Sequence, residues 1–539
     1  MAGGTWIDQN KIRPGVYINY KSAPSTLATM GERGTVAIAH LMDWGERNKF
    51  YKIEELSDCE QFGHSSTDSE MLFVRQILRG TNRTQGAKKI LVWSLEPTGD
   101  AAATKTISQS AADAVKASAA LGNLSVQAVT AGAAGNNLAV SVADGGSSNF
   151  IVKTYQGETE KDSQTVSAIS GLSDNDYVTF SGSGDLEVVA KKSLSGGADA
   201  VQSGSLTATA LYKGTYGNRL SFSVSEATGS NFVVETYLDG RKVDSQTVSA
   251  ISGLVDNQYV KFSGTGVLFA SSGADLTGGS NGTVSSNAYD DFFAALEVNA
   301  FDIVIYDGDD ATLKSNFALL VENLSNQQGT RCQAVLSNYP SADNECVISV
   351  YPQTVTLIDG TVLSPEQLTW WVGGASSGAN VYESLTYAAH PDAASISPKL
   401  SSSQQEAAIE AGQFVLIEQF EKVQVLTDIN TFTTFSVNKN KSFRKNRVIR
   451  TVFGLCNDIY RTFALYYVGA VHNDDEGRKA LKAEILNLLN RYQGNRAVQN
   501  VVADDVDVQK GVDIDAVVIE CYIQPVDSIE KIYINITIS

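Results

Sequence analysis

Residues 288–338 read AYDDFFAALEVNAFDIVIYDGDDATLKSNFALLVENLSNQQGTRCQAVLSN. Two helix-like stretches, AYDDFFAALE and TLKSNFALLVENL, alternate with two strand-like runs, FDIVIYDG and RCQAVLSN. That order predicts an α/β layer with crossover helices. The layer is expected to run from 288 to 425, because two more helices are announced by capping boxes. One is Ser364-Pro365-Glu366-Gln367 before QLTWWV, the other Ser403-Gln404-Gln405-Glu406 before AAIEAG.

Upstream, residues 23–95 mix the strand-like TVAIAHL and KKILVWSL with an amphipathic helix near 71–78, a small α/β unit expected to pack with the core. Residues 1–22 read as an arm: Pro14 fixes φ and Val16, Tyr17 and Ile18 favour an extended chain with little of its own to pack against. An Ala/Ser/Thr/Lys-rich bridge, 96–123, reads as a linker.

The next segment is written twice. DSQTVSAISGL at 162–172 recurs letter for letter at 244–254, and at the same 82-residue offset 124–205 aligns with 206–287 without a gap. Each copy alternates apolar and polar residues between Gly, Asn, Asp and Ser punctuation, with Tyr237-Leu238-Asp239-Gly240-Arg241 as a hairpin turn. Two tandem, mainly β domains are therefore expected, too few to be a solenoid.

Residues 426–539 open on NKNKSFRKNRVIR, continue into a helix through Tyr467, then a helix capped near Asp474 with Leu481, Ile485, Leu488, Leu489 and Tyr492 on one face. DAVVIECYIQP and SIEKIYINITI then alternate like strands, the last reaching the terminus. The fold class is thus multidomain α/β and α+β: a central α/β core, two β repeats and an α+β C-terminal domain.

Composition narrows the function. With 41 basic and 60 acidic residues, a net charge of −19, direct nucleic-acid binding is not expected. No apolar run is long enough for a membrane span or signal peptide, so membrane insertion is not expected and assembly in the cytosol is. The five cysteines, Cys59, Cys332, Cys346, Cys456 and Cys521, are scattered and never form CxxC, which points to buried reduced thiols.

Catalytic signals are weak. Gly374-Ala375-Ser376-Ser377-Gly378 fits GxSxG, with His390 and Asp392 downstream, but a nucleophile elbow needs a strand before its serine and here a capped helix precedes it. Asp307-Gly308-Asp309-Asp310 has no second ligand cluster and reads as a helix cap. Residues 80–88 miss a phosphate loop by one residue. No catalytic, metal or cofactor site is expected. The basic run Lys439, Lys441, Arg444, Lys445, Arg447 and Arg450 contains no acid; it is solvated surface or a docking face for an acidic partner, which Arg478, Lys479, Lys482, Arg491 and Arg496 would extend.

Taken together, PGVY, YKGTYGNRLSFSV, LTGGSNGT, WWVGGASSGANVYESLTY, VLTDINTFT with SFRKNRVIR, and PVDSIEKIYINITI resemble the contractile tail sheath protein of phages and phage-tail-like particles of Gram-positive hosts. The resemblance covers most of the chain, except that one β domain is the family pattern, so 124–205 looks like an extra copy. It implies a helical homopolymer around an inner tail tube, with baseplate and tail terminator proteins as further partners, made in the host bacterial cytoplasm and ending in a virion tail or tail-like particle. It also implies exchanged terminal strands between subunits, at Val16, Tyr17 and Ile18, at Ile532, Ile534 and Ile536, and with Val517, Ile519 and Cys521 as receiver. The C-terminal domain would face the tube through Lys439, Lys441, Arg444, Lys445, Arg447, Arg478, Lys479 and Lys482. A surface adhesin built of β modules, or a serine hydrolase, are the competing readings.

Overall fold

The computed structural model describes residues 30–538 and, ahead of them, the strands Gly3–Gly4 and Val16–Tyr17, which pair in parallel. The chain divides into two compact units, residues 1–98 with 284–539, and residues 99–283.

The larger unit is built on a seven-stranded sheet. Its order is Gln413–Phe414, Val347–Val350, Gln333–Ser337, Ile303–Tyr306, Thr35–His40, Lys89–Ser94, Phe50–Ile53, and only the last strand runs antiparallel to its neighbour. Helices α1 (Leu72–Leu78), α2 (Asp290–Leu296), α3 (Ala311–Asn323), α4 (Leu368–Gly378), α5 (Ser402–Glu410), α6 (Asn446–Tyr466) and α7 (Asp475–Gly494) complete it. The strands are apolar on both sides because both faces are covered. Val36, Ile38, Ile303 and Ile305 share a core with Ile77 of α1 and Trp371 of α4. Their alternates Ala37, Ala39, Val304 and Tyr306 pack with Phe292 of α2, Phe317 of α3, and Ile449 and Phe453 of α6.

The 288–338 reading holds: both helices and both strands are where the periodicity puts them. The separation into blocks does not. Residues 23–95 are not a small unit beside the core; they supply three of the seven strands, and Thr35–His40 pairs directly with Ile303–Tyr306. Nor does the core stop at 425, since α6 covers one face of the same sheet. Of the two capping boxes, Ser364 and Gln367 exchange the expected bonds, Gln367 N donating to Ser364 Oγ at 3.2 Å and Ser364 N to Gln367 Oε1 at 3.0 Å. The second box is closed by Ser401 and Gln404, two residues ahead of the expected one.

His390 lies between α1 and α4, its Nε2 2.9 Å from Gln76 Oε1 and its ring stacked 4.7 Å from Trp371. Burial pushes its pKa from 6.5 down to about 4, so it stays neutral in the fold. The unfolded chain takes up that proton first, so this contribution is fully present above pH 6.5 and is lost as pH falls towards 4. The full loss is about 3 kcal/mol. Replacing His390 with Gln is expected to flatten the unfolding free energy over that window, measured by urea denaturation against wild type; an unchanged acid slope would refute the assignment.

The smaller unit holds two β-sandwiches of the same strand order. One pairs the sheet Thr159–Val166, Asn149–Gln156, Leu138–Gly146, Val189–Ser193 with Val178–Gly182, Leu124–Ala128, Ser118–Leu121. The other pairs Arg241–Val248, Phe232–Leu238, Leu220–Glu226, Ser271–Asp275 with Val260–Gly266, Gly204–Ala210, Thr104–Gln109. The expected linker at 96–123 is therefore two strands. Thr104–Gln109 belongs to the second sandwich, pairing with Gly204–Ala210, whereas Ser118–Leu121 opens the first. The first sandwich is thus nested inside a hairpin of the second rather than standing in line before it. Alternating Thr and Ser side chains on a short, Ala-rich stretch hid these strands from the sequence.

The repeated DSQTVSAISGL has a structural job in each copy. Asp162 Oδ2 accepts from Gln164 Nε2 at 2.7 Å and Asn175 Nδ2 at 2.9 Å, while Asn175 Oδ1 accepts the N–H groups of Tyr177 and Val178. Asp244, Gln246, Asn257, Tyr259 and Val260 repeat that network. The hydrogen bond from Gln164, then that from Asn175, holds the Asp162 carboxyl below its ordinary pKa against partial burial. Ile169 and Ile251 of the same motif plug their respective cores. At the turn 237–241, Leu238 faces Arg241 with Asp239 and Gly240 both at positive φ, as a two-residue hairpin requires.

Candidate assembly interface

The chemistry-like motifs resolve into packing. Ser376 lies inside α4, fully buried, its Oγ without a hydrogen-bond partner, while His390 is engaged by Gln76. The glycines around it serve close approach: a Cβ on Gly374 would sit 2.0 Å from the carbonyl oxygen of Ile77 in α1. Asp310 caps α3 by accepting from Leu313 N at 2.8 Å, Asp307 accepts from Trp370 Nε1, and Asp309 pairs with Lys314. Among the described residues no group of His, Cys, Asp or Glu is placed to hold a metal ion, and no helix is long and apolar enough to cross a membrane. Cys59, Cys332 and Cys346 are buried thiols as expected; Cys456 is half-buried and Cys521 exposed, because it lies on a two-stranded hairpin with little covering it.

The basic run is not the open face its composition suggests. Arg444, Arg447 and Arg450 are buried, since 444–450 turns into α6 and that helix packs on the sheet. Arg450 pairs with Asp428 with both side chains almost wholly buried, and Asp428 also accepts from Leu385 N and Asn446 Nδ2, each at 3.0 Å. Lys445 pairs with Glu530, Lys439 with Glu345, Arg478 with Asp475 and Lys479 with Glu476. Lys441 is exposed and Lys482 half-buried. Glu345 and Glu530 lie far from the run in sequence and Asp428 just ahead of it, so its acid-free composition concealed its partners.

What the larger unit leaves open is backbone. Val506–Lys510 pairs with Val517–Cys521 in a two-stranded sheet, so each strand keeps one edge unpaired among the described residues. Val506, Val508 and Ile519 anchor this hairpin on Ile485, Leu488, Leu489 and Tyr492 of α7, the face expected from the helical spacing. Val498–Gln499 pairs with Gln524–Pro525, and Val526 N donates to Ala497 O at 2.9 Å. The chain then leaves the body. Residues 527–538 pair with no strand, and Ile532, Tyr533, Ile534, Ile536 and Ile538 are 73–93% exposed. The terminal segment expected as a strand is therefore an apolar, alternating chain with no strand partner among the described residues.

At the other end, Gly31 N donates to Asp458 Oδ1 of α6 at 2.7 Å, and Asp458 also accepts from Tyr492 and Arg461. Asp302 holds the next turn through Gly34 N, Thr35 N and Arg33. Of the residues assigned to the N-terminal arm, Val16 and Tyr17 form a strand with Gly3–Gly4; Ile18 lies outside the described residues.

The larger unit thus carries an open-edged hairpin beside an exposed, apolar C-terminal segment, and its relatives place it in a family. The phage tail sheath protein central domain matches 282–431, the phage tail sheath C-terminal domain 438–539, and the sheath β-sandwich domain matches twice, at 99–200 and 198–281. A sheath tail protein of Desulfitobacterium hafniense is 34% identical with a TM-score of 0.69 over 96% of this chain and 99% of its own. The chain belongs to the phage tail sheath proteins. A Listeria innocua sheath tail protein is similar at 27% identity and a TM-score of 0.63, covering 94% of this chain and 95% of its own. The phage-like element PBSX protein XkdK of Bacillus subtilis is 27% identical across the full length of both chains. The two β-sandwich matches meet near residue 200, where the nested module of this sheath protein returns to its host.

Proposed function

We propose that this sheath protein is a structural subunit that polymerises helically around an inner tail tube, docks on a baseplate, and shortens to drive the tube through a target cell envelope. The observation that carries this reading is the pairing of an unpartnered apolar C-terminal segment with an unfilled two-stranded hairpin in one unit. A strand from one subunit laid on the open edge of the next supplies main-chain hydrogen bonds, which hold while the joined domains rotate as rigid bodies. Val517, Ile519 and Cys521 with their partner strand are the receiving side; Ile532, Ile534 and Ile536, and Val16 with Tyr17, are the donated strands. The energy for shortening is the free-energy difference between two lattices of the same subunit. Arg444, Arg447 and Arg450 being buried, the exposed cations of the C-terminal region that could face a tube include Lys439, Lys441, Lys479, Arg491 and Arg496. Electron microscopy of the purified protein is expected to show tubes or stacked rings; a strictly monomeric protein at high concentration would refute the reading.

The nested sandwich is an addition to this machinery. Replacing residues 110–203 by Asn-Gly would let Gln109 and Gly204, already paired, close a two-residue hairpin. The shortened chain is expected to fold with one sandwich and to assemble as wild type does. Loss of tubes in that variant would make the extra sandwich an assembly interface.

A further inference from the structure

We propose that Glu530 is a latch that fixes where the C-terminal arm leaves the subunit and so sets the register in which the arm pairs. The inference rests on the arm reading above. After the Val526 N–H bond to Ala497, the next tie between the tail and the body among the described residues is the Glu530 side chain. Its Oε1 accepts from Thr386 Oγ1 at 2.8 Å, and its Oε2 accepts from Lys445 Nζ and, at 3.4 Å, from Thr427 Oγ1. The pair is sheltered, with side-chain exposures of 26% for Lys445 and 14% for Glu530, although the residues that follow are exposed.

Each partner is itself fixed. Lys445 is the residue preceding α6, and Thr386 Oγ1 accepts from the N–H of Asp428, the buried partner of Arg450. The carboxylate therefore sits on side chains that are tied to the buried Arg450–Asp428 pair and to the start of α6. The same helix holds the N-terminal root through Asp458, about 20 Å along its axis from Lys445. Helix α6 thus carries the departure points of both termini.

Geometry makes the latch matter. From Glu530 the eight residues 531–538 reach at most about 29 Å when extended. Opening the latch moves the free origin back to Asp527 and adds roughly 10 Å of slack, more than enough for the arm to slip by one residue. A one-residue slip turns the alternating isoleucines to the opposite face of the sheet they join. A charge-assisted anchor just ahead of an alternating strand prevents that slip.

The test is chymotryptic cleavage after Tyr533 in the unassembled full-length subunit, followed by mass spectrometry of the released C-terminal peptide. Glu530→Gln and Lys445→Met are each expected to speed that cleavage by about tenfold, the loss of one charge-assisted hydrogen bond. Cleavage elsewhere in the chain is expected to be unchanged. The reversed pair, Glu530→Lys with Lys445→Glu, is expected to bring the rate back towards wild type, which a general loosening of the fold would not do. Equal rates in wild type and single variants, or a reversed pair as fast as the singles, would overturn the proposal. Because the rate is read before assembly, absence of tubes would count against the arm reading and leave the latch measurement standing.

Discussion

Subunits lacking residues 1–20 are expected to purify folded and to form no ordered tubes. The truncation stops short of Met30 and Gly31, whose contacts with Asn495 and Asp458 are the first described ties of the N-terminal region to the body, so the two cores lose nothing. What is removed is the Pro-Gly-Val-Tyr-Ile stretch, of which Val16–Tyr17 pairs over only two residues with Gly3–Gly4. A strand of four or five residues added to a neighbour's sheet contributes about 0.5–1.5 kcal/mol per net hydrogen bond. Summed along the strand, that is on the order of a thousandfold in affinity at each contact, enough to decide between polymer and monomer. Sedimentation and negative-stain microscopy measure this directly, with the thermal transition of the subunit unchanged from wild type. Truncated subunits that still assemble would remove the N-terminal arm from the mechanism.

Asp428→Ala is expected to produce the largest loss of stability of any single change in the larger unit. It leaves the Arg450 guanidinium, fully buried, without its counter-charge, and takes an acceptor from Leu385 N and Asn446 Nδ2 at once. Breaking a buried pair by removing one partner costs about 3–5 kcal/mol, because the remaining charge stays desolvated. The double variant Asp428→Leu with Arg450→Met is expected to recover much of that loss, since a buried pair replaced by apolar groups can be nearly neutral. Calorimetry distinguishes the two: the transition of the larger unit should move while that of the β unit, whose cores are separate, stays in place. A single variant as stable as wild type would mean that Arg450 finds other compensation.

Local pattern carried a good part of the fold. The alternation at 288–338, the α7 face from Leu481 to Tyr492, the Ser364 box and the Asp239-Gly240 turn are all properties of residues a few positions apart, and all stand in the structure. The dismissal of the GxSxG segment rested on the same kind of information, a helix read ahead of the serine. Where the reading went astray, the deciding partner was distant. Thr104–Gln109 read as linker because its partner, Gly204–Ala210, lies beyond an entire sandwich. The arginines of 444–450 read as surface because Asp428 and the sheet under α6 are not adjacent in sequence. Cys521 read as buried because an apolar alternation gives no sign that both sides of a two-stranded hairpin are thinly covered.

The sequence by itself determined most of the helices and strands outside 96–123 and the terminal segment, that one β module was written twice, and, through motifs spread along most of the chain, membership of the sheath family. Those are matters of local periodicity and of residue identity. Only the tertiary structure decided that the N-terminal strands complete the central sheet, that one sandwich is nested in a hairpin of the other, that the arginines of the basic run are buried, and that the tail is held at Glu530. The reason is physical: a strand's pattern states which face must be covered but not which edge will be its neighbour, and a charge states that it needs a partner but not where in the chain that partner lies.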